Sequence, residues 1–353
     1  MASLVGQSLP VRLTPLVGRE SELGDIVHAL ARSRLLTLTG PGGTGKTRLA
    51  LAAANSAAAS FPAGICWVEL AQIGDPGIVG PTVASRLGVP DTPGQDVAEA
   101  IAEHVADRPV LIVLDNCEHL AGAAAGLVEG MLAACPALVV LATSREALGV
   151  EGERSWPVPP LSLPAASAAP TASLLARCDA VQLFEQRAQL VRPTFQVTDA
   201  NAGAVLSICR RLDGLPLAIE LAAARMRMLS SAQLAERLGD IFTVLVGGAR
   251  SAPPRHQALR ATLDWSHDLL DADERAAFRR LALFAGGFTL DAAERVAAGG
   301  GIHQDAMLEL LTRLADKSLL RVEHAAGRSR YFLLATIRDY ARERKPAASN
   351  STA

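Results

Sequence analysis

Short, continuously apolar runs alternate with helical patterns along the first half of the chain. The apolar runs cover residues 34–39, 64–71, 109–116 and 137–144. Helical stretches separate them, over residues 46–60, 77–87, 96–106 and 121–134. Strands that are apolar on both faces and alternate with helices are typical of a parallel sheet that helices cover on each side. The pattern therefore predicts an α/β domain in this half.

Helical patterns dominate the second half. Residues 153–172 are rich in Pro, Ala and Ser, which predicts a linker or surface loop. Helices are predicted beyond it, with Asp179 as an N-cap, Gly214 as a C-cap and Pro216 in a first turn. Helices followed by two strand-like runs around the turn at 324–329 predict a winged helix. The predicted order is an N-terminal tail over 1–13, the α/β domain over 14–152, a linker over 153–178, an all-α helical domain over 179–250, a winged-helix domain over 259–345 and a polar tail over 346–353.

Composition narrows the classes of protein that fit this pattern. The 353 residues are 50% hydrophobic, so the chain can bury the cores of two or three domains. The formal net charge of -2 gives no whole-chain attraction to nucleic acid or to an acidic membrane. The five cysteines are odd in number and far apart in sequence. They predict buried thiols of a cytoplasmic protein rather than disulfides or a zinc site.

Neither a leader nor a membrane span is predicted. The first residues lack the basic-then-apolar pattern of a signal peptide. Residues 121–144 are long and mostly apolar, but Glu129 and Pro136 interrupt them. This segment predicts a helix followed by a buried strand.

The motif GPGGTGKT, residues 40–47, lies between a predicted strand and a predicted helix. It fits the P-loop pattern G-x-x-x-x-G-K-[ST], whose glycines let backbone N–H groups turn inward around phosphate oxygens. Only three of the 34 basic Lys and Arg residues are lysines. Lys46 is one of them because a compact ammonium reaches between the β- and γ-phosphates where a planar guanidinium does not fit equivalently. The predicted phosphate-binding residues are Gly40, Pro41, Gly42, Gly43, Thr44, Gly45, Lys46, Thr47 and Arg48.

Polar residues at the ends of two later strands complete a predicted nucleotide site. Thr47 and Asp115 are the expected contacts to the Mg²⁺ shell. Asn116 follows Asp115 where many active ATPases carry a second acid; its amide orients a water but accepts no proton. Glu118 could substitute for that acid, or it could interact with the dipole of the following helix. Arg145 is predicted beside the γ-phosphate if its strand neighbours that of Asp115, and otherwise forms a surface salt bridge.

The ordered motifs VGRE, GPGGTGKT, LIVLDN, LATSR, VPPLSL and GLPLAIE resemble the NB-ARC family. These are signal-transduction ATPases of the STAND class within the AAA+ group. The stretches LDNCEHL, TSREALGVEGE, RRLDGLPLAIELAAAR and LRATLDWSHDLL are similar to bacterial predicted ATPases in large transcriptional regulators. The resemblance covers residues 14–344, and it implies a P-loop NTPase domain, a helical domain and a winged helix in that order.

The resemblance also implies a function and further contacts. Val17, Gly18 and Arg19 would lie against the adenine, and Pro216 would pack on the nucleotide from the helical domain. Bound ADP would clamp the domains together in an off state. Exchange for ATP, triggered by a partner, would open the module and promote oligomerisation. The expected activity is slow ATP hydrolysis that serves a switch, with ATP or ADP and Mg²⁺ as ligands.

The chain departs from the family at the end of the winged helix. Many members carry a Met-His-Asp motif there, whose His touches the ADP phosphate. Leu334 and Ala335 occupy the His and Asp places here, so that ADP contact is absent or built differently. Family members also usually carry an effector domain and a helical-repeat sensor. We therefore expect either a fragment of a larger regulator or a protein that works with separate partners.

Two other functions compete with the switch. An efficient P-loop ATPase or a kinase is one alternative, although the sequence shows no acceptor-binding lid with several arginines. DNA binding through the winged helix is the other. Residues 262–345 contain 13 basic and 13 acidic residues, and this neutral balance argues against direct DNA binding.

Overall fold

The computed structural model describes residues 9–90, 94–164, 170–239, 241–245, 259–325 and 328–344. The predicted polar tail, the first part of the N-terminal tail and the predicted break between the helical and winged-helix domains lie outside these residues. The chain divides into two compact units. The first contains the residues up to Gly40 together with Gly45–Pro159, and the second contains Pro41–Thr44 together with the residues from Pro160 onward.

The first unit is built around a parallel sheet. Among the described residues its strands are β1 (Leu35–Thr39), β2 (Ile65–Glu69), β3 (Val110–Asp115), β4 (Leu138–Thr143) and β5 (Arg154–Pro157). Its helices are α1 (Glu20–Leu30), α2 (Lys46–Ser56), α3 (Val79–Leu87), α4 (Val97–Val105) and α5 (Ala121–Ala134). The strands run in the order β2-β3-β4-β1-β5, and each pair of neighbours is parallel. The carboxyl ends of β1, β3 and β4 therefore lie side by side at one edge.

Side-chain alternation along β3 divides the core of this unit into two layers. Ile112 and Leu114 belong to one buried cluster with residues of α3, α4 and α5. Leu111 and Val113 belong to the other, with residues of α1 and α2. Every residue of β3 is buried, which explains why its sequence is continuously apolar from Val110 to Leu114. Burial of each such side chain contributes about 1.5–3 kcal/mol before entropy is counted.

The stretch predicted as a linker contains the fifth strand. β5 pairs in parallel with β1, with Trp156 opposite Leu38 and Pro157 opposite Thr39. The prediction of a loop there was wrong because β5 is short and largely exposed, and it contains a proline. Such a sequence forms a strand only because β1 offers a free edge, and proline is tolerated in an edge strand.

The second unit is mainly helical. Its first group of helices contains α6 (Ala172–Leu175), α7 (Asp179–Gln189), α8 (Asp199–Arg211), α9 (Pro216–Ala224), α10 (Ser231–Arg237) and α11 (Ile241–Val244). The helix α9 begins at Pro216 as predicted. Two cap predictions were displaced, since Cys178 rather than Asp179 is the N-cap of α7, and Leu212 rather than Gly214 is the C-cap of α8.

A winged helix follows in the same unit. It contains α12 (Leu259–Asp268), α13 (Ala272–Leu281), α14 (Leu290–Ala297), α15 (Met307–Asp316) and α16 (Ala335–Glu343). The strands β6 (Arg321–Ala325) and β7 (Arg328–Phe332) form an antiparallel pair between α15 and α16. The predicted architecture, a helix-covered parallel sheet followed by helical and winged-helix segments, is confirmed.

The N-terminus of α16 is capped by a carboxylate from another part of the second unit. Asp213 accepts hydrogen bonds from the N–H groups of Ala335 at 3.0 Å and of Thr336 at 2.8 Å, and from Thr336 Oγ1 at 2.9 Å. Arg211 adds an ion pair to Asp339 at 2.7 Å. Asp213, which is more than a hundred positions away in the sequence, therefore caps α16. The N-cap residue Leu334 and the first helical residue Ala335 have no side chain that could do so.

Two further expectations can be compared with the described residues. The five cysteines are all free and buried. No helix in the described ranges is both long enough and apolar enough to span a membrane. The long, mostly apolar segment at residues 121–144 is the helix α5 followed by the strand β4.

Candidate functional site

The P-loop connects β1 to α2 at the carboxyl edge of the sheet. Gly40, Gly43 and Gly45 have φ values of 148°, 85° and 92°, which a residue with a Cβ rarely adopts. The helix α2 begins at Lys46, directly after the loop. The Lys46 ammonium donates to the carbonyl of Gly40 at 2.6 Å and so lies along the loop that would surround the phosphates. A glycine-rich loop, a helix N-terminus and this ammonium together are the combination that binds phosphate in P-loops.

Asp115 connects the strand β3 to the P-loop helix. Its Oδ1 accepts from Thr47 Oγ1 at 2.8 Å and from Thr143 Oγ1 at 2.6 Å. Asp115 is 1% exposed. Burial raises its pKa, while the hydrogen bonds from Thr143 and Thr47 act in the opposite direction. A carboxylate and a hydroxyl side by side are the oxygen donors that Mg²⁺ prefers, so the residues fit the expected metal.

Asn116 is directed toward Asp115. Its amide Nδ2 donates to Asp115 Oδ2 at 3.0 Å, and its backbone N–H donates to Thr143 Oγ1 at 3.0 Å. The backbone of Asn116 is left-handed, with φ 65°, a conformation that Asn tolerates better than most residues. In this structure its side chain orients the carboxylate of Asp115, and this contact could not be derived from sequence.

Glu118 and Arg145 form a buried ion pair. Arg145 Nε lies 3.3 Å from Glu118 Oε1, and the two side chains are 5% and 6% exposed. Burial by itself would raise the pKa of Glu118, but Arg145 and Lys46 hold the pKa of that carboxyl below its usual value. The expected adjacency of the two strands is present, since β4 pairs with β3. Arg145 is therefore not a surface residue.

Arginine side chains form hydrogen bonds in and around the N-terminal segment that is predicted to contact adenine. Arg19 has φ 73° and donates to the carbonyl of Pro159 at 2.6 Å and to Glu22 at 2.9 Å. Val17 and Arg19 are buried, and Gly18 has φ 64°. Arg48 of the P-loop helix donates to the carbonyls of Thr14 and Pro15, each at 2.7 Å. Here Arg48 holds the N-terminal segment. Its position directly after the P-loop motif had predicted a contact with phosphate.

The first unit thus brings together most of the predicted site. Lys46, Thr47, Asp115 and Asn116 meet at the end of the sheet, with the Glu118–Arg145 pair in the same unit. Thr143 contacts the carboxylate of Asp115, a contact that could not be derived from sequence. Pro216 lies in the second unit, and its contact with nucleotide stays a prediction. In the P-loop, Thr44 Oγ1 donates to the carbonyl of Pro41 at 2.9 Å.

Replacement of Asp115 by Asn should weaken Mg²⁺-dependent ATP binding. The change removes a charge from the expected metal shell but keeps one oxygen to accept from Thr47 or Thr143. We expect a loss of roughly 10- to 100-fold in affinity with Mg²⁺, because a hydrogen bond or contact to a charged group contributes about 1.5–3 kcal/mol. Titration with a fluorescent ATP analogue, with Mg²⁺ and with EDTA, measures it. The exposed Asp75→Asn is the control, and an unchanged Mg²⁺ effect in Asp115→Asn would contradict the assignment.

Comparison with known proteins is consistent with this geometry. Residues 30–150 match a family model described as an AAA domain, and residues 270–345 match one described as a winged helix-turn-helix domain. The chain is 43% identical to the uncharacterized protein Rv0894 of Mycobacterium tuberculosis, over 94% of this chain and 81% of that protein. It is 48% identical over 89% of its length to Rv0890c of the same organism, whose name places it among HTH-type transcriptional regulators. The chain spans only 34% of Rv0890c.

Similarity to a solved structure supports the fold and nothing more specific. The Walker-type ATPase paby2304 of Pyrococcus abyssi aligns with 94% of this chain and 99% of its own, at 13% sequence identity and a TM-score of 0.55.

Proposed function

This chain belongs to the family of the mycobacterial protein Rv0894, and we propose that it is a switch controlled by adenine nucleotide, with slow ATPase activity. The observation that carries the proposal is the contact chain from Thr47 through Asp115 to Thr143, directly behind a P-loop whose lysine is Lys46. In this interpretation the loop and Lys46 bind the phosphates, and Thr47 and Asp115 hold Mg²⁺. The metal, when bound, would neutralise charge on the phosphate oxygens.

The order of motifs supports a finer assignment to the NB-ARC branch of STAND ATPases. In that interpretation ADP stabilises the closed form, and ATP favours an open form that binds a partner or oligomerises. Asn116 agrees with slow turnover, because its amide cannot take a proton from water and donates to Asp115. A switch needs a nucleotide that stays bound for long periods, and weak hydrolysis serves that purpose.

The proposal is tested by the nucleotide that the purified protein carries. We expect ADP to be released when the protein is denatured, and we expect steady-state ATP turnover below ~1 per second. Chromatography of the supernatant and a coupled phosphate assay measure these quantities. Sustained faster turnover would favour an ATPase that performs work or a kinase. A protein that carries no nucleotide and does not rebind ADP with Mg²⁺ would exclude the switch.

DNA binding is the second candidate function, and two observations favour it. Residues 270–345 match a winged helix-turn-helix domain, and Rv0890c is named as a transcriptional regulator of the HTH type. The wing also carries arginines, with Arg328 exposed on β7. A winged helix usually reads the major groove with the helix that precedes its wing, which here is α15.

The charges of α15 argue against that role. The basic residue of α15, Arg313, and its C-cap residue, Lys317, both form ion pairs within the domain. Lys317 pairs with the buried Glu274 at 2.7 Å, and Arg313 pairs with Asp271 at 2.9 Å. The exposed face of α15 presents Leu308 and Glu309. Contact with phosphates requires free basic groups on the docking face.

We therefore expect only weak, salt-sensitive binding to random duplex DNA. Fluorescence anisotropy with a labelled duplex, at about 50 and 200 mM salt, measures it. Binding that stays tight at the higher salt concentration would assign the winged helix to DNA. In that case substitution of Arg328 in the wing, compared with Arg32→Ala on the first unit, would show whether the wing carries the contact.

A further inference from the structure

One face of α8 lines a cavity of about 600 Å³ in the second unit. The lining positions on this helix are 203, 206, 207, 210 and 211, a spacing that places them on the same side of it. Ala335, the first residue of α16, lines the cavity as well. Its N–H donates to Asp213, so the N-terminus of α16 is not what a ligand would contact. Small-molecule sites usually occupy about 300–1,000 Å³, and this cavity lies within that range.

Two arginines supply the charge of the cavity. Arg210 and Arg211 line it together with Ser207, and the described lining residues include no carboxylate. Arg211 forms an ion pair with Asp339 at 2.7 Å, so its charge has a counter-ion beside the cavity. Arg210 donates to the carbonyl of Pro164 at 3.3 Å, which is a long contact to a neutral acceptor. An ionised carboxylate is a stronger acceptor than a carbonyl, so a carboxylate that enters the cavity can replace that contact.

The rest of the described lining is apolar or lacks a side chain. Leu206, Pro170 and Ala335 contribute carbon atoms. Gly203 lies inside α8, where glycine lowers helix stability relative to alanine. Among the described residues, a Cβ at position 203 would have only Pro170 Cγ within reach, at 4.0 Å. An open space between apolar side chains and two arginines fits a ligand that has an acidic head and an apolar body.

We propose that this cavity binds a small organic acid, whose carboxylate pairs with Arg210 and whose apolar body lies against Leu206 and Pro170. A monoanion is favoured over a phosphate dianion because Asp339 already balances the charge of Arg211. The ligand contacts α8 and the first residue of α16 together, so it holds these two helices against each other. This inference goes beyond the nucleotide switch and does not depend on it.

Binding is tested on the full chain with benzoate and hexanoate, which each combine one carboxylate with an apolar body. We expect dissociation constants of about 1 mM, as is usual for ligands of this size. Benzyl alcohol keeps the ring without the charge, and acetate keeps the charge without the body. Each should bind at least about tenfold more weakly than benzoate. Ligand-observed NMR titration measures the affinities, and the amide shifts of Gly203 and Ala335 locate the probe.

Variants of the lining show whether the probe occupies this cavity. Arg210→Gln removes the charge and should weaken benzoate binding by about tenfold. Gly203→Phe should fill the space and abolish binding, whereas Gly203→Ala adds one methyl group and should change the affinity by less than about threefold. Arg192→Ala removes an exposed basic residue of the same unit and should match the wild type. Thermal melting shows that each variant is folded.

Hydrogen exchange tests the effect on α16. Saturating benzoate should slow exchange at the amides of Ala335 and Thr336, because a ligand that binds the folded arrangement stabilises it. The same amides should be unaffected by benzoate in Gly203→Phe. Unchanged exchange in the wild type, despite binding, would overturn the claim that the ligand holds α16 against α8.

The remaining outcomes decide the site and the class of ligand. If neither acid binds at about 10 mM, if benzyl alcohol binds as well as benzoate, or if Arg210→Gln binds benzoate normally, the proposal is overturned. Phenyl phosphate that binds at least about tenfold more tightly than benzoate would replace the carboxylate by a phosphate ester. Displacement of benzoate by ADP with Mg²⁺ would place the probe in the nucleotide site and overturn the cavity assignment. A protein that binds no ADP would overturn the switch alone.

Discussion

Replacement of Lys46 by alanine is expected to lower the affinity for both ADP and ATP by roughly 100-fold, which corresponds to about 3 kcal/mol. The ammonium lies along the P-loop, 2.6 Å from the carbonyl of Gly40, at the start of α2. Its removal deletes the one positively charged side chain of the motif at residues 40–47. Isothermal titration with ADP and Mg²⁺ measures the loss directly.

Two further variants make this result specific. Lys46→Arg keeps the charge, but we expect it to bind nucleotide poorly as well, because a planar guanidinium does not occupy the space of an ammonium. Arg32→Ala removes an exposed basic residue from the same unit and should leave affinity unchanged. If Lys46→Ala binds ADP as tightly as the wild type and Arg32→Ala, the P-loop does not hold the nucleotide.

The second large effect is expected from Asp213→Ala, which should lower the free energy of unfolding of the second unit by about 2–4 kcal/mol. Asp213 accepts three hydrogen bonds from Ala335 and Thr336. Thr336 is completely buried, so the substitution leaves a buried hydroxyl and two backbone N–H groups without their acceptor. Urea unfolding, followed by helical circular dichroism, measures the loss.

The cap of α4 offers a matched control. Asp96 also accepts from two backbone N–H groups, those of Ala98 and Glu99, but these hydrogen bonds are exposed. Asp96→Ala should therefore lose only about 1 kcal/mol. Asp213→Asn should lose less than Asp213→Ala, because burial raises the pKa of Asp213 and the neutral amide avoids that cost of burying charge.

Hydrogen exchange distinguishes a lost cap from general destabilisation. In Asp213→Ala the amides of Ala335 and Thr336 should exchange faster than those in the middle of α8, because α16 loses its N-terminal cap first. Uniform acceleration throughout the second unit, or a loss no larger than that of Asp96→Ala, would contradict the assignment of Asp213 as a buried cap for α16.

Local patterns in the sequence were sufficient for most of the secondary structure. The four predicted strands differ from the observed ones by at most two residues at each end, and α5 has the predicted bounds. The P-loop could be identified because the glycines and the lysine that bind phosphate lie within eight consecutive residues. Their roles depend on neighbouring residues only, so the sequence shows them directly.

Only the tertiary structure decided the contacts between distant segments. Asn116 was expected to orient a water but donates to Asp115. Glu118 was expected either to substitute for a second acid or to interact with the dipole of the following helix, and it forms an ion pair with Arg145. The strand β5 was hidden in a proline-rich stretch because its stability comes from the edge of β1. The cap that Asp213 provides to α16 has no local sequence pattern. In each case the partner is supplied by chain folding rather than by sequence neighbours, so the energy of the contact exists only after the core has brought the segments together.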